Sequence, residues 1–415
     1  MVIDTAELFT PAPGRLVLRG RVVTPLEVID DGVVVVDGQL LTWVGRADRA
    51  PEGAELPDLA AAGSPSTILP GLVDVHCHGG GGASFPDALD TATARVAIDE
   101  HLRHGTTSLV ASLVTADAET LLARTALLAG LADEGELAGI HLEGPFLSRT
   151  RCGAQNPSLM VAGDAQLVRD VAEAARGHLV TMTIAPEVAG VGGADGALVA
   201  LTQVGAIPSI GHTDGSAEEV EQALDSAFER LAEAGTRSGR PTATHLFNGM
   251  RPLHHRDPGP IAACLSAAAR GRAVVELIAD GVHLAPATAK AVFDLVGPGS
   301  VALVTDAMAA AGMADGRYDL GPVQVRVTDG VARLVDGDSI AGGTAHLLDV
   351  VRWTVGCGVP LVDAVQAAST TPAAVLGRTD IGALEVGRRA DLVLVDDALL
   401  PLRVLRAGRW VAPRG

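Results

Sequence analysis

Eight short apolar runs, each followed by a stretch of helical periodicity, constrain this chain more than any other feature. The runs fall at residues 71–76, 108–114, 138–142, 179–184, 206–210, 242–246, 274–278 and 301–304. Helical stretches lie between them, for example at 91–104, 118–132, 164–176, 216–234 and 285–296. Strand then helix, repeated in this way, predicts a parallel sheet covered by helices. An open doubly wound sheet alternates similarly, so the period alone does not choose between architectures. The polar residues favour a closed (β/α)8 barrel of the TIM type. His76 and His78, Glu143, Glu187, His212, His245, Asp280 with His283, and Asp306 each stand at or just beyond the C-terminal end of a run. In a barrel those ends meet on one face, where such folds carry their chemistry.

The two ends of the chain read differently. Residues 16–23 and 32–44 are β-rich, the second broken at Asp37-Gly38, a two-residue hairpin signal. Residues 390–395 and 402–411 have the same character, with a turn at Ala407-Gly408. These ends are expected to pair into one small β-sandwich built from residues 1–66 and 376–415, beside a barrel at 67–375. A further hairpin signal at Asp329-Gly330, within 320–334, predicts an insertion after the eighth strand.

Charge and composition exclude several function classes. A chain of 415 residues with 48% hydrophobic and 20% charged residues is a well-buried globular protein of enzyme size. Its net charge of -19 repels phosphate backbones and anionic lipids, so neither nucleic acid nor a membrane surface is an expected partner. An anionic substrate requires a local cationic pocket. No apolar run reaches the roughly 18 residues of a membrane span. The segment Met1 to Pro11 lacks a basic start followed by an apolar core, which makes a cytoplasmic location the expectation. The four cysteines, Cys77, Cys152, Cys264 and Cys357, are widely spaced and give no disulfide framework.

Chemistry is legible at the strand ends. His76 and His78 alternate along a strand and so face one ion together, with Asp74 on the same side as a carboxylate that can orient one of them. Glu143, in His141-Leu-Glu-Gly-Pro-Phe146, joins His212 and His245 as a His, His, Glu set of the type that holds catalytic zinc with one position open. The chain has a single lysine, Lys290, in a helical stretch. A carbamylated lysine bridging two ions is therefore not expected, and Glu143 is the candidate bridge. Asp306, in Leu303-Val-Thr-Asp-Ala-Met308, is the candidate general acid/base. A metal lowers the pKa of bound water toward about 7, and a carboxylate beside it accepts the proton and returns it to a leaving group. Arg256, on the loop after the sixth strand, and His283 are candidate hydrogen-bond donors to a phosphate. The glycines of 79–82 read as a compact rim that lets substrate approach.

Taken together and in this order, PGLVDVHCHG, HLEGPF, GAQNP, IAPE, SIGHTDG, THLFNGM, HHRDPG, IADGVH and VTDAM resemble the N-acetylglucosamine-6-phosphate deacetylases of the amidohydrolase superfamily. The resemblance runs from about residue 66 to 396. It implies a metal-dependent barrel that removes acetate from N-acetyl-D-glucosamine 6-phosphate, in amino-sugar catabolism and cell-wall recycling. It also implies a homodimer. By position, Glu143, His212 and His245 match the ligands of the metal held throughout the family, and Asp306 matches the general acid/base. Asn248 and Gly249 match substrate contacts, Arg256 matches a phosphate-binding arginine contributed by the neighbouring subunit, and His283 matches a sugar-phosphate contact. Zinc is the expected ion, with Fe2+ or another divalent ion as alternatives. A second ion is possible at His76 and His78, which some members replace. Gln155 stands where many members have a histidine, and is expected to bind substrate without transferring protons. The segment 226–241 is longer than in some relatives and is expected to alter the rim. The rival readings are another amidohydrolase, such as a cyclic-amide hydrolase or deaminase, and an inactive barrel serving as a binding protein.

Overall fold

A computed structural model describes residues 9–11, 14–52, 54–57, 66–235, 237–337 and 339–412. The opening residues on which the reading of a leader rested lie mostly outside this set. Eight parallel strands form the central sheet, Leu72–Cys77, Thr106–Leu113, Gly139–Glu143, Leu179–Ile184, Ile207–Ile210, Thr242–Ala243, Val274–Leu277 and Val301–Leu303, paired in chain order. The circle closes between the last and the first, where Asp306 N–H donates to His76 O at 2.9 Å and Cys77 bridges Ala307. Every residue of these strands is buried, which is why the sequence shows apolar runs and no strict alternation.

Helices wrap the barrel and are started by the residues expected of caps. Asp90, Asp117 and Asp164 each accept a backbone N–H of the helix that follows, and Ser216 forms a reciprocal capping box with Glu219. The sixth strand is shorter than expected. It stops at Ala243 because His245 and Phe247 adopt left-handed backbone, with φ of 28° and 81°, and the chain turns out of the sheet.

The chain ends make one eight-stranded sheet. Phe9–Pro11, Arg15–Val23, Val28–Asp37, Leu40–Arg46 and Thr67–Pro70 come from the N-terminal side, and Leu392–Val395, Pro401–Arg406 and Arg409–Val411 from the C-terminal side. All its pairs are antiparallel except Arg15–Val23 with Thr67–Pro70. Val22, Val34, Val36, Ile68, Leu392 and Leu405 pack on one of its faces. Thr67–Pro70 leads directly into the first barrel strand, which ties the two sheets together.

The expected insertion after the eighth strand is a three-stranded meander, Gly316–Leu320, Val323–Thr328 and Val331–Leu334. Two expectations about the rim are corrected. The long segment 226–241 mostly extends a helix, Ala217–Ala234, and then runs under the barrel: Arg237 donates to Gly177 O and Arg240 to Gly299 O, both just before strands begin. The glycines of 79–82 are compact, but none of them lines the cavity at the barrel mouth. Gly79 and Gly80 pair with Ser84 and Ala83, and Gly81 and Gly82 donate to Ala311 O and Ala309 O. A Cβ on Gly79 would lie 2.3 Å from Ala83 O, so close backbone approach accounts for that glycine.

Candidate metal centre and active site

At the C-terminal mouth of the barrel lies a cavity of about 290 Å³. Of the site residues expected from the sequence, His78, Glu143, Gln155, His212, His245, Asn248, Gly249, His283 and Asp306 line it. His76 stands immediately behind, fully buried. Arg256 does not line it. It sits on an exposed loop with its guanidinium 2.8 Å from His255 Nε2.

Glu143 ends the third strand and divides its oxygens. Oε1 lies 2.7 Å from His212 Nε2 and 2.8 Å from His245 Nε2. Oε2 lies 3.2 Å from His78 Nε2 and 2.5 Å from Gln155 Nε2. Asp306 Oδ1 is 3.3 Å from His76 Nε2 and 3.2 Å from His78 Nε2. These contacts give two overlapping donor groups, Glu143 with His212 and His245, and Glu143 with His76 and His78.

The second atoms of the imidazoles decide what this cluster can hold. His78 Nδ1 faces Ser112 O at 3.2 Å and His212 Nδ1 faces Arg151 O at 2.7 Å, and a carbonyl only accepts. His76 Nδ1 donates to Glu276 Oε2 at 3.0 Å. In their neutral forms these rings turn unprotonated Nε2 atoms toward Glu143, Asp306 and one another, with His76 and His78 only 3.1 Å apart. Acceptor then meets acceptor among buried side chains, a clash that protons or a cation relieve. Without a metal, protons are the remaining answer. Burial pulls His76 down, but Asp306, Glu276 and Glu143 overcome it and hold the ring at about 10. Against the same burial, Asp306 and then Glu143 raise His78, while Glu143 raises His212 with Arg151 O and Asp306 contributing. Burial raises Glu143 and Asp306, yet their histidine neighbours hold both below the usual carboxylate range. The donor set fits a divalent ion, whose charge satisfies the same atoms with the imidazoles neutral.

Backbone strain marks the same residues. His212, His245 and Asp306, each just past a strand end, have positive φ of 46°, 28° and 47°. Such conformations cost free energy and persist where packing over-determines them, as at functional sites.

The structure corrects one assignment and adds residues. Asp74 does not touch an imidazole. It accepts Thr305 Oγ1–H at 2.6 Å and the His76 N–H at 3.2 Å, and burial raises its pKa to about 7 despite those hydrogen bonds. The carboxylate that orients His76 is Glu276, and its Oε2 also accepts the His245 N–H at 3.2 Å. A lone acid inside Ala-Val-Val-Glu-Leu-Ile278 was the signal that could have found it. Leu320, Ser339, Ile340 and Gly342, from the insertion and the segment after it, also line the cavity. Lys290 is on the helix Pro286–Val296, paired with Asp294, so no lysine reaches the strand ends.

The sequence profile of the amidohydrolase family matches residues 67–411. N-acetylglucosamine-6-phosphate deacetylase of Bacillus subtilis (strain 168) is 34% identical over 413 residues, covering 92% of this chain and 93% of that protein. The human enzyme of the same name is 34% identical over 80% of each chain. Among solved structures, a mutant of N-acetyl-D-glucosamine-6-phosphate deacetylase from Mycobacterium smegmatis, in complex with N-acetyl-D-glucosamine-6-phosphate, superposes with a TM-score of 0.86 at 40% identity. It covers 97% of this chain and 100% of that one. The chain therefore belongs to the amidohydrolase family, among its N-acetylglucosamine-6-phosphate deacetylases.

Proposed function

We propose that this cavity binds N-acetyl-D-glucosamine 6-phosphate and hydrolyses its amide to D-glucosamine 6-phosphate and acetate, a step of amino-sugar catabolism and cell-wall recycling. The observation that carries the reading is the placement of Asp306 in one cavity with Glu143, His212 and His245. A proton-transferring carboxylate and a His, His, Glu metal set thus face the same substrate.

The enzyme is metal-dependent. The set His212, His245 and Glu143 holds the ion, and zinc suits these nitrogen and oxygen donors, with Fe2+ as the alternative. His76 and His78, together with Glu143, would offer a second position. A bound ion supplies Lewis acidity, lowering the pKa of water and polarising the amide carbonyl. The rest is the work of side chains. Asp306, ionised and lining the cavity, takes the proton of the attacking water and passes it to the departing amine. Asn248, Gly249 and the second N–H of Gln155 face the cavity as contacts for the sugar and its acetyl group. His283, whose Nδ1 donates to Asp280 at 2.8 Å, is raised by that carboxylate against burial and offers a cationic contact to the phosphate.

Arg256 lies outside the cavity of its own chain. In a homodimer its guanidinium reaches the phosphate held by the neighbouring subunit. No described helix is long and apolar enough to cross a membrane, in keeping with a cytoplasmic enzyme of sugar metabolism. The test is a substrate panel. N-acetylglucosamine 6-phosphate should turn over well, and cyclic amides and amino-heterocycles should not. Turnover of the second group in preference to the first would assign the chain to another amidohydrolase activity.

A further inference from the structure

Gln155 has one orientation open to it. Its Oε1 accepts the Thr115 N–H at 2.8 Å, which turns its Nε2 toward Glu143 Oε2. Thr115 Oγ1 closes the ring by donating to Glu143 O at 2.9 Å. Reversing the amide would lose the Thr115 bond and set two oxygens against each other. Gln155 is 7% exposed and Glu143 3%, so bulk water has little access to the shared oxygen. Gln155 therefore gives a fixed, neutral partner to the half of the carboxylate that faces His78.

We propose that Gln155 is a positioning residue that sets the metal count of this site. By satisfying Glu143 Oε2 with a neutral N–H, it weakens the His76 and His78 half, so that a second divalent cation binds only after the His212 and His245 half is filled. The inference rests on reading the cavity as a divalent-metal site, and it concerns this chain's glutamine. Gln155 and the second cation are linked through the one oxygen they share. A buried carboxylate oxygen without a partner costs free energy until something positive reaches it. With Gln155 present that demand is met beforehand, and an arriving cation gains only the difference. Without Gln155, a cation at His76 and His78 becomes the best partner within reach.

The test titrates zinc into metal-stripped protein and resolves the binding steps by calorimetry. Wild type is compared with Gln155→Met and Gln155→Leu, which keep bulk and remove the donor, and thermal unfolding checks that each folds. Both variants should tighten the second step by about 10- to 100-fold, the scale on which hydrogen-bond partners of metal ligands act, while leaving the first step unchanged. His78→Ala should abolish the second step, which identifies it. An unchanged second step overturns the proposal. So does a parallel weakening of both steps, which is what a merely structural role predicts. Failure of wild type to bind zinc at all overturns both the proposal and the metal reading beneath it. Two-step binding without acetate release from N-acetylglucosamine 6-phosphate overturns the deacetylase reading alone.

Discussion

Glu276 joins the two halves of the candidate metal centre through one atom. Its Oε2 accepts His76 Nδ1–H at 3.0 Å and the backbone N–H of His245 at 3.2 Å. The first bond fixes the tautomer that turns His76 Nε2 toward the cavity. Glu276→Gln can donate where the carboxylate accepts, which favours the opposite tautomer and blocks that lone pair. Zinc affinity at the His76 and His78 position should fall by about 10- to 100-fold. Metal titration with zinc checks it, and unchanged binding would remove Glu276 from this role.

Asp306→Asn keeps the shape of the side chain and removes its ability to take a proton. Metal content should stay at the wild-type level while kcat falls by about 10²- to 10⁴-fold, the usual share of a general acid/base. Atomic absorption on the purified variant and an acetate-release assay separate the two effects. Substantial residual turnover would assign the proton transfer elsewhere.

Arg256→Ala tests the intersubunit phosphate contact. A hydrogen bond to a charged group contributes about 1.5–3 kcal/mol, so KM for the phosphorylated sugar should rise by about 10- to 100-fold. KM for unphosphorylated N-acetylglucosamine should hardly move. Equal losses on both would refute a phosphate role, and a monomer in sedimentation analysis would refute the route by which Arg256 reaches the site.

Away from the cavity, His346 caps the helix Leu347–Gly356. It lies 3.0 Å from Glu100 Oε1 and 3.4 Å from Asp349 Oδ2. Burial opposes both charges. Even so, Asp349 and Glu100 raise His346 above 6.5, and the His346 hydrogen bonds bring Asp349 from 3.8 to about 2. The contribution of Asp349 is present above pH 3.8 and is lost as pH falls through about 2. That of His346 is complete below pH 6.5 and is lost as pH rises through its folded value. His346→Ala should lower the thermal midpoint most between these limits, and the gap to wild type should narrow on both sides. A gap independent of pH would mean that packing, and not charge, is what His346 supplies.

Much of the site was legible because the barrel brings every strand end to one face. Knowing that Glu143, His212, His245 and Asp306 close apolar runs was enough to place them together. Glu276 escaped because it lies inside a strand. Its role depends on which histidine the neighbouring strands bring to it, which periodicity does not encode. Asp74 misled for the same reason. Its alternation with His76 and His78 is real, but in the closed barrel Thr305 and the His76 backbone, not a ring, take its oxygens. The insertion announced itself at Asp329-Gly330, whereas its docking over the cavity through Leu320 is a tertiary contact with no local signature. The sixth strand was read too long because Thr244 to Leu246 looks like strand, and packing around His245 overrides that preference.

One proton NMR experiment tests metal-dependent deacetylation most directly: N-acetyl-D-glucosamine 6-phosphate is incubated with zinc-loaded wild type, the stripped protein and zinc-treated His212→Ala. Only the zinc-loaded wild type should convert the N-acetyl methyl signal to free acetate, with an equal amount of D-glucosamine 6-phosphate appearing. An N-acetyl signal that persists with the zinc-loaded wild type, or acetate formed equally well by the stripped protein, would contradict metal-dependent deacetylation.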